Sequence, residues 1–396
     1  MKPILITAVL LFFVAIGFKM STPNTEEKFK GVTYTGPGRG PIPPEMISSI
    51  ADMGGNYIAL VPEATLYRQN LTINHNRTGG WYGESLEASI VGTNMARENN
   101  IKVMIKPHIA VGYDRRGLGR RVRGSFPSDS AGRAEFARQW REFLATQPDL
   151  LQSRESWRGY IKPKDEADWP TLAENYKTYI LEMAEFADSL DAEVFAVGTE
   201  LKELALAYPD YWRDVIKEIR KVYDGQLTYA ANWDSYDKIE FWDELDFIGI
   251  DAYFPLSEEK SPTVESLVAA WQPYKEKIQA LSQKFGKPVA FTEWGYESEF
   301  FAGNEPWEAA GREFANGRPT NTDHISYQTQ ADLYEAAFQA FWNEPWFVGV
   351  FIWRWDPHSD EQVTFQGRRR IPTYNYTPKN KTAEQTLSKW FSEKSN

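Results

Sequence analysis

The chain has 396 residues, a formal net charge of −11 and no cysteine. The charge argues against nucleic acid as a partner, because phosphate binding needs clustered cations. The absence of cysteine excludes disulfides, thiolate nucleophiles and cysteine-based metal sites. Only His75, His108, His324 and His358 are present, without an HExxH or HxH pattern, so no histidine-rich metal centre and no cofactor is expected; an all-carboxylate Ca²⁺ or Mg²⁺ site stays open. The length suits one large α/β barrel or two ordinary domains. The 15 Trp, 20 Tyr and 23 Phe suit either a packed barrel–helix interface or a cleft that stacks on the flat apolar faces of sugar rings.

Met1-Lys2 and the apolar run Ile4 to Phe18 are short for a membrane span and read as a secretory signal, with Ala15-Ile-Gly17 as a small-x-small cleavage pattern; an uncleaved anchor is the alternative. Ser21 to Lys28 is a polar linker. Residues 1–24 are therefore set apart from a single domain over 25–396. The expected location is secreted, periplasmic or envelope-associated, with membrane contact through this segment only, and the expected state is a monomer.

From Gly31 onward, apolar strands alternate with amphipathic helices. Gly31 to Thr35 is strand one, Pro43 to Met53 a helix, Asn56 to Val61 strand two, Leu86 to Glu98 a helix closed by Asn99-Asn100, and Ile101 to His108 strand three. A long insertion covers about 112–168. It holds the basic run Arg115-Arg116 and Arg120-Arg121-Val-Arg123, read as a solvated face or a polyanion patch, and a short helix over Ala131 to Thr146. Thr171 and Glu174 have capping-box spacing at the start of the next helix. Val194 to Glu200 is strand four, Pro209 to Tyr223 a helix closed by Gly225, Leu227 to Asn232 strand five and Phe247 to Tyr253 strand six. A helix starts at Ser261-Pro262 and runs to Phe285. Val289 to Glu293 is strand seven, Tyr327 to Trp342 a helix, Phe347 to Arg354 strand eight and Ala383 to Phe391 the last helix. Eight strands without hairpin turns give a (β/α)₈ TIM barrel with a long insertion after strand three. A doubly wound sheet would favour a phosphate loop after strand one, and Gly36-Pro-Gly-Arg-Gly40 lacks GxGxxG spacing.

In such a barrel, catalytic groups sit at the C-terminal ends of strands. Glu200 ends strand four and Glu293 ends strand seven, so both project into one mouth. A carboxylate pair of this kind is what glycosidic bond cleavage needs: one protonated group to assist the leaving oxygen and one ionised group to attack the anomeric carbon.

The strings Lys106-Pro-His108-Ile, Trp157-Arg-Gly-Tyr-Ile, Phe195-Ala-Val-Gly-Thr-Glu-Leu201, Leu227-Thr-Tyr-Ala-Ala-Asn-Trp-Asp234, Phe241 to Pro255, Phe291-Thr-Glu-Trp-Gly-Tyr296 and Pro345 to Trp353 resemble glycoside hydrolase family 113. The resemblance covers nearly everything from Gly31 to Phe391. It implies a clan A barrel with Glu200 as acid/base and Glu293 as nucleophile, acting on β-1,4-linked mannan from within the chain. Thr199 stands before the acid/base where other families of the clan carry asparagine. The insertion departs from the family pattern and leaves cleft length, endo or exo action and the sugar itself open.

Supporting roles follow from position. Tyr253 is expected to bond the nucleophile, and Trp353 to form the sugar platform. Trp233 and Trp294 are further platform candidates or barrel packing, Asn232 and His108 partners for sugar hydroxyls, and Lys106 a cation beside a carboxylate. Asp251 lies next to the mouth. The leading expectation is a retaining β-mannanase. The alternatives are a retaining glycosidase on another β-linked glycan, a non-catalytic glycan-binding barrel and a metal-dependent barrel hydrolase.

Overall fold

The computed structural model describes residues 27–35, 41–68, 70–75, 82–112, 135, 138, 157–307, 323–356, 364–365, 368–369 and 375–393. Residues 1–24, the arginines Arg115 to Arg123 and the expected helix over 131–146, except for Glu135 and Arg138, lie outside the described residues.

In chain order the strands are β1 (Phe29–Tyr34), β2 (Tyr57–Leu60), β3 (Glu63–Tyr67), β4 (Thr72–Asn74), β5 (Lys102–Ile105), β6 (His108–Gly112), β7 (Val194–Thr199), β8 (Gln226–Asn232), β9 (Ile248–Asp251), β10 (Val289–Trp294) and β11 (Phe347–Trp353), followed by a two-residue pair, β12 (Thr364–Phe365) and β13 (Arg368–Arg369). The helices are α1 (Pro44–Asp52), α2 (Leu86–Glu98), α3 (Trp169–Ser189), α4 (Lys202–Ala207), α5 (Pro209–Ile219), α6 (Val264–Phe285), α7 (Tyr327–Phe341) and α8 (Thr382–Ser392). Eight strands close into a parallel barrel in the order β1-β2-β5-β7-β8-β9-β10-β11 and back to β1. This is the (β/α)₈ architecture that the alternation of strands and helices predicts.

The barrel strands are apolar along both faces because both are covered. One face meets the helix layer, where Ile58, Val103, Tyr229, Ile250, Phe291 and Val350 pack with Trp212, Trp271 and Trp342. The other fills the lower barrel with Phe29, Tyr57, Ala59, Met104, Val194, Phe247, Ala290 and Phe351. Phe29 is the centre of this plug, with ring centroids 4.9 Å from Tyr57, 5.3 Å from Phe247 and 5.6 Å from Phe351. The N-terminal end of the barrel is thus solid, and polar chemistry is left to the opposite end. Gly349 keeps the β1–β11 seam closed: its φ of 131° suits glycine, and a Cβ there would run into the backbone of Phe29.

Several local expectations are corrected. Strand three of the barrel stops at Ile105, because Pro107 has no N–H for the ladder. His108 instead opens β6, which pairs with β3 in a separate three-stranded sheet, β4-β3-β6, that the sequence reading did not foresee. The Thr171–Glu174 capping box is not formed. α3 begins earlier, at Trp169, and Pro170 takes a first-turn position where its missing N–H costs nothing. α5 ends at Ile219 with Arg220 as its cap, ahead of Gly225. α6 is capped by Thr263, whose hydroxyl accepts from the Ser266 N–H, and it ends at Gly286 in the left-handed conformation (φ 64°).

Candidate active site

Strand alternation carries polar residues from the plug to the open end. Residues two apart share a face. Met104 therefore leads to Lys106, Phe247 to Asp251, and Phe351 to Trp353. The two glutamates are reached differently. The pairing register slips between Ala196 and Thr199 on β7, and between Phe291 and Glu293 on β10. Such irregularities re-aim side chains beside active sites. Glu200 adopts φ 52°, in the left-handed region, while its N–H still donates to Ala230 O at 2.8 Å. Glu293 turns inward while its neighbour Trp294 faces the helix layer.

Glu293 is enclosed on every side. Tyr253 OH donates to its Oε2 at 2.9 Å. Lys106 Nζ makes a short ion pair with Oε1, and lies 3.2 and 3.3 Å from the two oxygens of Asp251. Thr292 Oγ1 donates to Asp251 Oδ1 at 2.8 Å. His108 Nε2 approaches Glu293 Oε1 to 3.2 Å, off the line of a good hydrogen bond. Burial alone would raise the pKa of Glu293, but the Lys106 ammonium and the His108 contact outweigh it and hold the carboxyl well below the usual range. Burial and then the charge of Glu293 push Asp251 the other way, well above its ordinary value, with Lys106 opposing. Of the two carboxyls that share this lysine, Glu293 is the ionised one. Burial, and after it the charges of Arg158 and Lys106, lower His108 to about 3, so its ring is neutral in ordinary buffers.

Glu200 has different surroundings. Trp157 Nε1 donates to its Oε2 at 3.3 Å and Arg158 Nη1 lies 3.7 Å from the same oxygen. Burial, with the charge of Glu293 adding to it, raises its pKa against the pull of Arg158 and Lys106. The two strand-end carboxyls are therefore driven apart by their environments: one is kept charged and the other is biased towards holding its proton.

The other predicted residues divide. Tyr253 bonds Glu293, as expected from its position. Trp353 lies over the site with its ring 5.8 Å from His108 and stacked on it at 19°. Lys106 is fully buried between Asp251 and Glu293, so it pairs with carboxylates and does not contact a sugar. Trp294 is 1% exposed, bonds Tyr296 OH at 3.2 Å and packs on Tyr334 and Phe338 of α7, so it is barrel packing and not a platform. Trp233 is half-buried and stacks at 4.9 Å on Trp307, an exposed ring that the sequence reading passed over. Asn232 donates to Asp234 Oδ1 at 2.9 Å, and Asp234 also receives Lys202 at 2.6 Å. Thr199 Oγ1 donates to Pro107 O at 3.1 Å, so it braces the Lys106 turn and does not face the cleft. Trp157 and Arg158 were legible only as part of a motif; their approach to Glu200 at the end of the neighbouring strand was not. Among the described residues, no cluster of three or more histidine and carboxylate side chains could hold a metal ion.

The architecture is shared with solved structures. A β-mannanase of glycoside hydrolase family 113 from Alicyclobacillus acidocaldarius superposes with TM-score 0.66 at 20% identity, over 93% of this chain and 98% of that one. A second β-1,4-mannanase of the family superposes with TM-score 0.63 at 19% identity, over 93% and 100%. A β-glucuronidase from Faecalibacterium prausnitzii superposes with TM-score 0.54 at 17% identity, over 93% of this chain and 49% of that one. No curated protein matches in sequence. At these identities the likenesses speak for the fold. The sequence pattern of Glycoside Hydrolase Family 113 matches residues 144–376, more than half of the chain and a span that includes Trp157, both glutamates, Tyr253 and Trp353, and the chain belongs to that family.

Proposed function

We propose that this glycoside hydrolase cleaves β-1,4-mannosidic linkages with retention of configuration, Glu293 acting as nucleophile and Glu200 as general acid and then base. The observation that carries the reading is the opposite displacement of the two carboxyls. Glu293 is held ionised by Lys106, and Glu200 is lifted by burial and by Glu293 itself. A double displacement needs this division of labour. The C1–O bond to the leaving sugar breaks as Glu200 gives its proton to that oxygen and Glu293 bonds to C1. Water then attacks C1, gives its proton to Glu200 and releases Glu293. Tyr253 stays a donor to Glu293 throughout, since burial and the adjacent carboxylate push the phenol well above its usual pKa. Trp353 supplies an apolar face where a sugar ring at the cleavage point can stack. The mannan specificity is supported by family membership and by the two mannanases that share the fold.

The test is product analysis on mannohexaose, linear mannan, glucomannan, cellohexaose and xylohexaose, with the first anomer read by NMR. β-Anomeric manno-oligosaccharides are expected. α-Anomers would sink the double displacement, and cleavage of the gluco- or xylo-hexaose alone would move the substrate to another β-linked glycan.

A further inference from the structure

Arg158 has no part in the two proton transfers above, yet it touches both halves of the site. Its Nη1 lies 3.1 Å from His108 Nδ1 and 3.7 Å from Glu200 Oε2. A guanidinium only donates, so His108 Nδ1 must be the ring nitrogen that accepts. The single proton of the neutral ring is then on Nε2, which faces Glu293 Oε1 at 3.2 Å. The opposite tautomer would set two donors against each other at Nδ1 and a lone pair against a carboxylate at Nε2. The shorter contact of Arg158 is with histidine; its contact with Glu200 is an ion pair beyond hydrogen-bond length, and Trp157 already donates to that oxygen.

We propose that Arg158 is a positioning residue for both carboxyls: through His108 it fixes the proton that faces Glu293, and it closes on Glu200 when that group gives up its own proton. The proposal rests on the acid/base and nucleophile roles assigned above. In the first half-reaction the Glu200 proton leaves with the departing sugar, and the charge of Glu293 disappears into the ester bond to C1. The negative charge of the pair has moved from one carboxyl to the other, and Arg158 is the cation beside the new anion. Among the described residues, the other ionisable groups that interact with Glu200 include Glu293, Lys106, Asp251, Tyr229 and Tyr253. Lys106 is already paired with Glu293 and Asp251. Once Glu293 is esterified it no longer raises Glu200, while the pull of Arg158 remains, and Glu200 becomes the base that the second half-reaction needs.

The experiment compares wild type, R158M and R158K by NMR and by kinetics. ¹⁵N spectra of the imidazoles report the His108 tautomer, and ¹³C-labelled glutamate reports the Glu200 titration. Wild type is expected to show His108 protonated at Nε2. R158M should weaken that preference, leaving only Glu293 to favour it, and move the Glu200 titration up by about one pH unit, a tenfold change in proton affinity. R158K, which keeps the charge without the planar fork, should titrate near wild type. With an aryl β-mannoside carrying a good leaving group, R158M should show a burst, because breakdown of the glycosyl-enzyme becomes the slow step. An unchanged tautomer and an unchanged Glu200 titration in R158M would overturn the proposal; should that variant fail to fold, a wild-type ring protonated at Nδ1 would do the same. Failure of the wild-type protein to cleave any glycan would overturn the catalytic roles, whereas the NMR signals judge the placement of Arg158 separately.

Discussion

Glu200 combines a strained backbone conformation with an environment that works against its charged form. Left-handed backbone at a non-glycine residue costs about 1–3 kcal/mol and persists where the surroundings over-determine it. Its pKa is raised by burial and Glu293. A carboxyl whose folded pKa lies above the unfolded value contributes its stability at low pH and loses it as pH rises through the folded pKa. Glu200→Gln should therefore raise the unfolding midpoint increasingly as pH climbs from about 4.3, the ordinary glutamate value, while turnover of mannohexaose falls about 10²–10⁴-fold. Thermal melts across pH 4–8 check the first part, and a midpoint gain independent of pH would refute it. Glu293→Gln should abolish turnover by at least about 10⁴-fold, since no group replaces the nucleophile. Lys106 acts in the opposite sense to burial. Lys106→Met leaves two buried carboxyls without their cation, a change that costs about 3–5 kcal/mol. Because Glu293 must be ionised to attack, activity is lost as pH falls through its pKa. The acid limb of kcat/KM should therefore move to higher pH in this variant, and an unmoved acid limb would show that Lys106 is not what keeps Glu293 charged.

At the scale of elements, much of the barrel and part of its mouth could be read from alternation alone. Counting by twos up β5, β9 and β11 from the plug residues Met104, Phe247 and Phe351 arrives at Lys106, Asp251 and Trp353. The count fails at Glu293: from the plug residue Ala290 it arrives at Trp294, although from Val194 it does arrive at Glu200. β7 and β10 both slip register just before their glutamates, and a slip of this kind leaves no mark in hydrophobic periodicity. The glutamates are marked by a charge that follows an apolar run, not by a legible direction; Trp294 stays open between platform and packing in the sequence because the slip hides which neighbour turns outward. The accessory β4-β3-β6 sheet is not legible because its strands are short, three to five residues each, and β3 and β6 follow barrel strands β2 and β5 so closely that each pair reads as one apolar run unless Pro107 is taken as a breaker. Seam geometry is local enough to test directly. Gly349→Ala puts a Cβ against the Phe29 backbone at φ 131°, so it should destabilise by about 2–3 kcal/mol. Denaturant titration measures this, and a cost below about 0.5 kcal/mol, the level of a neutral surface change, would mean that the seam is plastic.

At the scale of the whole molecule, the open question is what keeps the first and last strands together, since β1–β11 is the one barrel contact made between the two ends of the described chain. α8 spans that seam. Trp390 stacks on Phe338 at 5.4 Å and donates to Glu335 at 2.8 Å, while Phe391 lies against Trp342 at 6.0 Å. On its other side, Ser388 Oγ donates to Met53 O at 3.2 Å, and Phe391 sits over Gly54 in the turn that leads into β2. The helix thus ties α7 to the α1–β2 turn across the closure. Leu387, Trp390 and Phe391 are buried, and burying each is worth about 1.5–3 kcal/mol, roughly 5–9 kcal/mol together as an upper estimate. A domain has only about 5–15 kcal/mol in total. A chain ending at Lys381 should therefore lose most of its cooperative unfolding transition. It should lose activity with it, because Trp353 and the backbone that orients it lie on the same seam. Trp390→Ala removes one of the three anchors and should cost about 3–5 kcal/mol while leaving the ratio of kcat to KM unchanged in folded protein. Urea titrations followed by tryptophan fluorescence and by residual activity would read both quantities on one axis. Coincident curves shifted to lower urea would fit a helix that closes the barrel. A truncated chain with the wild-type midpoint would show that the β1–β11 ladder closes unaided.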